Sequence, residues 1–267
     1  GAIQCFRSYQ ANFITVPVNE AGIDYAALEE LIKLKHPKLF YLTPTYQNPT
    51  GSTLSGEDRQ NLLRLASKYR LLVIEDDPYS ELCYDNRQVV PPIRAFARDS
   101  QVIYLGTFSK TLAPGLRLGW ITAEKSIISK LTIAKQGTDL HTSTLLQKTT
   151  YYYLTHFKAA EHILRIRRVY QERRDLMLKT LGDHLSNQAV WTEPGGGMFI
   201  WLTLPERYDT LRLLPAALAG QVAYVPGINF YVNQESSSSM RLNFSNPDPT
   251  QIEQGIKLLA SIIKEAG

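Results

Sequence analysis

Hydrophobic positions along this chain recur with two alternating spacings. "NFITVPV" (12–18), "KLFYLT" (38–43), "LLVIED" (71–76) and "QVIYLG" (101–106) are short apolar runs of strand length. Between them, "DYAALEELIKLK" (24–35) and "SGEDRQNLLRLASKYR" (55–70) place apolar residues at helical spacing. Asp24 stands near the start of the first helix. Ser55 is a natural N-cap for the second, with Asp58 where a capping box puts an acid. Apolar strands alternating with amphipathic helices predict an α/β fold, a mostly parallel sheet with helices on both faces. "LRLGWITA" (116–123) reads as one more strand. About a dozen residues, including Pro114 and Gly115, separate it from its predecessor, too few for a crossover helix, so it is expected to run antiparallel.

After residue 124 the character changes. Residues 124–136 and 140–154 read as helices, and 158–185 as a long one ending near Gly182. Short strands follow at "AVWTE" (189–193), "GMFIWLTL" (197–204), "VAYVPG" and "MRLNFS", then an amphipathic helix over 249–266. The expected organisation is a large α/β domain over 1–155, a linking helix over 156–184 and a smaller α+β domain over 185–267. "QESSSS" (234–239) reads as an exposed loop.

Composition narrows the function classes. Of the 267 residues 44% are hydrophobic and 20% charged, as in ordinary globular proteins. The most apolar stretch, "LRLLPAALAGQVAYV" (211–225), is broken by Pro215, Gly220 and Gln221, so no membrane span is expected. Cys5 and Cys83 match no disulfide framework or metal motif, and the five histidines are dispersed. A cytoplasmic protein without a metal site is the expectation. The net charge of +4 is mild, and the arginines of "RIRRVYQERR" (165–174) spread around a helix rather than forming a stripe. No nucleic-acid partner is expected through this region.

In an open parallel sheet, ligands bind beyond the carboxyl ends of the strands. Three strand ends here carry unusual polar sequences: "PTYQNPTG" (44–51), "EDDPYSE" (75–81) and "GTFSK" (106–110). Each alone has a bland structural reading, as a turn, a cap or a surface lysine. Together they suggest one site. An acid at the end of a buried strand needs a cation or hydrogen-bond donors. A lysine at a neighbouring strand end, with hydroxyls on both sides and Arg117 seven residues on, suits an anionic, electrophilic ligand.

"YLTPTYQNPTG", "VIEDDPYSE", "YLGTFSKTLAPGLRLGW", "PGGGMFIW" and "MRLNFS" occur in an order and at distances that resemble the pyridoxal-phosphate aminotransferases of fold type I. The branch is similar to the one holding 2-aminoadipate aminotransferases and the aminotransferase-like domains of GntR/MocR regulators. The resemblance covers nearly the whole chain. It implies pyridoxal 5′-phosphate as cofactor, amino acid and 2-oxo acid substrates, and a homodimer.

For Lys110 the resemblance implies a Schiff base with the cofactor aldehyde, for which partial desolvation favours the neutral amine. Asp76 pairs with the pyridine nitrogen in the family pattern, its Asp-x-x-Tyr spacing to Tyr79 selecting it over Asp77. Tyr79 and Asn48 would donate to the phenolic oxygen. Thr107, Ser109 and Arg117 resemble phosphate ligands. Arg241 matches the arginine that clamps the substrate carboxylate, its bland alternative being a domain-interface salt bridge. Tyr46 would line the site, and loop 224–234 could face the substrate side chain. "PGGGMF" (194–199) is most simply a tight turn.

The chain departs from the family at its start. The arm, the Gly-Ser phosphate loop and the stacking aromatic that precede these motifs elsewhere are missing here, which implies an N-terminally truncated piece of a longer protein. Two alternatives stay open: the amino-acid-sensing effector domain of a GntR/MocR-type regulator, with an upstream DNA-binding domain, and another reaction on the same fold, such as decarboxylation.

Overall fold

A computed structural model describes residues 1–19, 22–84, 90–97 and 101–266. The chain opens with helix α1 (Ala2–Ser8), a two-stranded antiparallel ribbon of β1 (Val18–Asn19) and β2 (Gly22–Ile23), helix α2 (Tyr25–Lys35) and strand β3 (Leu39–Leu42). Then come α3 (Gly56–Tyr69), β4 (Leu72–Asp77), a short α4 (Ile93–Phe96), β5 (Val102–Thr107), β6 (Gly119–Thr122), α5 (Lys125–Asp139), α6 (Thr144–His156) and α7 (Ala159–Leu185). The last part holds β7 (Val190–Trp191), β8 (Phe199–Thr203), α8 (Thr210–Ala219), β9 (Val225–Pro226), β10 (Ser239–Asn243) and α9 (Pro249–Glu265).

The described chain divides into two compact units. One comprises 16–47 and 53–168; the other comprises 1–15, 48–52 and 169–267. The first unit is built on the sheet β3-β4-β5-β6. Its first three strands are parallel, and β6 runs antiparallel to β5, as the short connection requires. Helices flank this mostly parallel sheet. Asp24 caps α2 by accepting the N–H of Ala27, and the Ser55 hydroxyl caps α3 by accepting that of Asp58. Leu62 and Ala66 on α3 are wholly buried and join Leu28, Ile32, Leu42 and Val73 in one core. Each leucine, isoleucine or valine among them contributes about 1.5–3 kcal/mol.

The second unit holds the antiparallel sheet β7-β8-β10-β9 and the C-terminal helix. In α9, Ile252, Ile256, Leu259 and Ile263 are buried at helical spacing, and Asp248 and Gln251 form a reciprocal capping box.

Two local outcomes differ from the sequence expectations, and one helix lies where no element is assigned from sequence. Residues 11–17 are irregular rather than a strand, and only Val18–Asn19 pairs. Pro17 offers no N–H, and Ile14 and Val18 are exposed, so the apolar alternation has no sheet face to bury against. Helix α8, in that unassigned stretch, runs through Pro215. A proline inside a helix costs about 3 kcal/mol. Burial of Leu213 and Ala217, the Asp209 cap, and the Thr210 hydroxyl, whose one proton is shared between Ser239 O (2.7 Å) and Ser237 O (3.0 Å), offset it. Those bonds also explain why only the start of "QESSSS" is exposed: Ser237 and Ser239 are buried with their polar atoms satisfied.

Arginines of α7 are held by specific partners. Arg167 Nε donates to Glu81 O at 2.6 Å within the first unit. Within the second, Arg174 Nη1 donates to Pro194 O at 2.6 Å and Arg173 donates to Ser245 O. Each guanidinium ties the helix to a loop.

Candidate active site

Side chains alternate across a strand, so consecutive residues face opposite sides of the sheet. On β4, Val73, Glu75 and Asp77 are buried on one face, while Ile74 and Asp76 are half-buried on the other. Leu39–Leu42 lie in register with Leu72–Glu75, which puts Tyr41 on the Asp76 face. The two meet: Tyr41 Oη donates to Asp76 Oδ2 at 2.5 Å. Burial pushes the Asp76 carboxyl up, the neighbouring charge of Asp77 adds to that, and the bond from Tyr41 pulls it back down.

Asp77 has different work on the opposite face. Its Oδ1 accepts the N–H of Ser80 at 3.1 Å and its Oδ2 accepts from Tyr104 Oη at 3.0 Å. This shapes the turn that carries Tyr79, which is buried just before the 3-10 turn Ser80–Leu82. On the same face lies a cavity of about 270 Å³ lined by Asp77, Tyr104, Phe108, Trp120, Tyr153 and His162. The Trp120 indole lies against Gly106, where a Cβ would come within 2.2 Å of Trp120 Cε2.

At the carboxyl end of β5, Thr107 organises the turn that bears Lys110. Its Oγ1 donates to Leu118 O (3.1 Å), lies 3.0 Å from Ser109 Oγ and accepts the N–H of Ser109 at 3.1 Å. Lys110 is half-buried in this turn. Arg117 is exposed with φ +52°, and its Nη1 donates to Pro114 O at 3.1 Å. Tyr46, at the end of β3, is buried with φ +48°, and its N–H is held by Thr53 Oγ1 at 3.0 Å. The first unit thus gathers Tyr46, Asp76, Tyr79, Thr107, Ser109, Lys110 and Arg117 at the carboxyl ends of three adjacent parallel strands.

Asn48 and Arg241 belong to the second unit and touch there: Arg241 Nη1 donates to Asn48 Oδ1 at 2.6 Å. The guanidinium also lies over two rings, 4.1 Å from the centroid of Phe199 and 5.1 Å from that of Phe230, and Phe230 meets Trp201 edge-on. Asn48 reaches this cluster because "NPTG" packs against "PGGGMF": Gly51, at φ +72°, leaves room where a Cβ would be 2.8 Å from Pro194 Cβ. The contacts of Tyr41, Phe199 and Phe230 went unassigned from sequence. For Tyr41 the available signal was its even spacing from Thr43 along β3; for the rings it was their place in "GMFIW" and "GINFY".

Comparison with known proteins places these motifs in context. The family model described as aminotransferase class I and II matches residues 2–259. The chain is 44% identical over 269 residues to aromatic-amino-acid aminotransferase 1 of Thermococcus litoralis, covering 99% of this chain and 64% of that protein. It is 39% identical to the 2-aminoadipate transaminase of Thermus thermophilus, covering 99% and 67%. The kynurenine aminotransferase of Pyrococcus horikoshii, solved in complex with PMP, KYN and KYA, superposes with a TM-score of 0.94 at 44% identity, over 99% of this chain and 67% of that one. The chain therefore spans about two thirds of the length of these relatives, and it belongs to the class I and II aminotransferase family.

Proposed function

We propose that this chain transfers an amino group from an amino acid to a 2-oxo acid with pyridoxal 5′-phosphate as cofactor. The observation that carries the reading is the donor set at the carboxyl ends of β3, β4 and β5. It offers an amine, a carboxylate and paired hydroxyls on adjacent strand ends of one sheet. Their chemistry fits the cofactor. Lys110 suits its aldehyde, Asp76 its ring nitrogen, Tyr79 its phenolic oxygen, and Thr107, Ser109 and Arg117 its phosphate dianion. Asn48 adds a polar contact to the phenolic oxygen, and Tyr46 lines the site.

When bound, pyridoxal phosphate supplies the electron sink that stabilises a carbanion at the amino-acid α-carbon. Lys110 Nζ takes the proton from that carbon and returns one on the reverse half of the cycle. Asp76 holds the proton on the ring nitrogen. Arg241 binds the substrate carboxylate through its fork, and Phe199 and Phe230 hold the guanidinium plane that does so. The regulator reading rests on the same ligand chemistry; relatives named as transaminases match at 44% and 39% identity, those named as HTH-type regulators at 30%, which favours transfer.

A homodimer fits the apolar side chains left exposed on α5 and α6, among them Ile133, Leu145 and Tyr151, and sedimentation tests it. A cytoplasmic location is in keeping with cysteines that no disulfide joins. Among the described residues no helix is long and apolar enough to cross a membrane.

The deciding experiment compares the wild type with Lys110→Ala. Pyridoxal phosphate is added, visible spectra are recorded, and the products are reduced with borohydride and mapped. The expected result is an absorbance band in the wild type alone, with the adduct on Lys110, and amino-acid product formed only when a 2-oxo acid is supplied. An equal band in both proteins overturns the site.

A further inference from the structure

Asp76 is half-buried on a sheet face beside a second acid, a setting in which a carboxylate tends to take up a proton. Two features counter this tendency. Tyr41 Oη donates to Asp76 Oδ2 at 2.5 Å, and Thr43 in turn hydrogen-bonds through its side chain to Tyr41. The chain Thr43–Tyr41–Asp76 runs along one face at the ends of β3 and β4, with each hydroxyl polarising the next. Burial and the Asp76 charge both hold the Tyr41 phenol in its protonated, donating form.

We propose that Tyr41 is the positioning residue of Asp76: it orients the carboxylate and supplies the donor that keeps it an anion, so that Asp76 can hold a proton on the cofactor's ring nitrogen. The proposal rests on the reading that Asp76 faces that nitrogen. A protonated Asp76 would itself be a donor and could not stabilise a ring cation. Asp77 cannot stand in, because it points to the other face and is committed to the Ser80 N–H and to Tyr104. Tyr41 makes no contact with reacting atoms in this scheme. It acts through Asp76.

The test uses pyridoxal phosphate labelled with ¹⁵N in the ring. It is bound to the wild type, Tyr41→Phe, Asp76→Asn and the double variant, with circular dichroism as the check on folding. The ¹⁵N shift reports whether the ring nitrogen is protonated, and absorbance titration gives the dissociation constant. Asp76→Asn is expected to move the ¹⁵N signal to that of a neutral pyridine. Tyr41→Phe should move it part of the way and weaken binding by up to about 10- to 150-fold, the scale of a hydrogen bond to a charged group. In the Asp76→Asn background, Tyr41→Phe should change neither readout. If Tyr41→Phe loses its folded spectrum, Thr43→Val is read instead, with a smaller shift in the same direction. A wild-type or Asp76→Asn signal that contradicts these expectations overturns the cofactor reading and the proposal with it. An Asp76→Asn effect without any effect of Tyr41→Phe, or of Thr43→Val where that is read, overturns the proposal alone.

Discussion

Arg59 and Glu75 stand 4.0 Å apart, Nη1 to Oε1, and solvent reaches neither side chain. Arg59 also donates to the carbonyls of Leu54, Pro91 and Pro44 and to Thr45 Oγ1, while Glu75 accepts the N–H groups of Ile93 and Arg94 at the start of α4. Burial pushes Glu75 up and Arg59 down, and each partner's charge opposes that shift in the other. The pair fastens the β3–α3 connection and the start of α4 to the sheet that carries Asp76.

Removing one partner leaves the other charge buried and alone. Arg59→Met is expected to cost about 3–5 kcal/mol in urea denaturation. Glu75→Gln should also destabilise, and the double variant should lose clearly less than the two losses added together. Additive losses would show that the two groups are not coupled.

Gly106 is required by the ring above it. Gly106→Ala places a methyl group within 2.2 Å of Trp120 Cε2, so the indole must leave the sheet. The expected loss is about 1–3 kcal/mol, the usual cost of overpacking. In a Trp120→Ala background the same substitution should cost far less. Thermal denaturation of the four proteins measures it.

Arg241 is set by Asn48 and two rings before any substrate arrives. Arg241→Lys keeps the charge but loses the planar fork and its stacking. On the proposed function, KM for amino acid and 2-oxo acid should rise together by about 10- to 100-fold, with kcat changed much less. Phe230→Leu should move KM in the same direction by a smaller factor. Steady-state kinetics with both substrates varied separates these outcomes from a loss confined to kcat.

Tyr224 donates to Thr210 O at 2.7 Å, and burial, with the Asp209 charge behind it, pushes its phenol up to about 12. The unfolded side chain ionises near 10. The folded state therefore holds this proton more tightly. The stability gained is fully present below about pH 10 and is lost as pH rises through about 12. Tyr25, Tyr41 and Tyr104 are shifted the same way. Absorbance at 295 nm, followed with rising pH, should show Tyr224→Phe removing one late-titrating phenol and flattening the fall in stability over that window.

Much of the first unit could be read from the chain because its signals are local. Asp24 and Ser55 sit where helices must begin, and the short run from Thr107 to Leu118 leaves β6 no option but to turn back. What was misread or left unread depends on distant partners. Residues 12–18 have the alternation of a strand, but of these only Val18 pairs with another strand. Pro215 survives in α8 through bonds to Ser237 and Ser239, more than twenty residues away by the spacing of those contacts. The burial of Arg59 depends on carbonyls from Pro44 and Pro91. Within the candidate site, residue types were legible from motif order, whereas the Tyr41–Asp76 contact depends on the register of β3 against β4, which one sequence does not display.

The adjacency of Asp76 and Asp77 has a consequence for how this site can evolve. A slip of β4 by one residue would exchange the two acids, delivering the turn-forming carboxylate to the Tyr41 face and the other to Tyr104. Insertions inside the strand are thus intolerable. The hydrogen bonds of Asp77, to Ser80 and Tyr104, are separate from those that join 41, 43 and 76, while the Asp77 charge still bears on Asp76. The doublet makes β4 a divider between two hydrogen-bonded neighbourhoods that remain joined through charge.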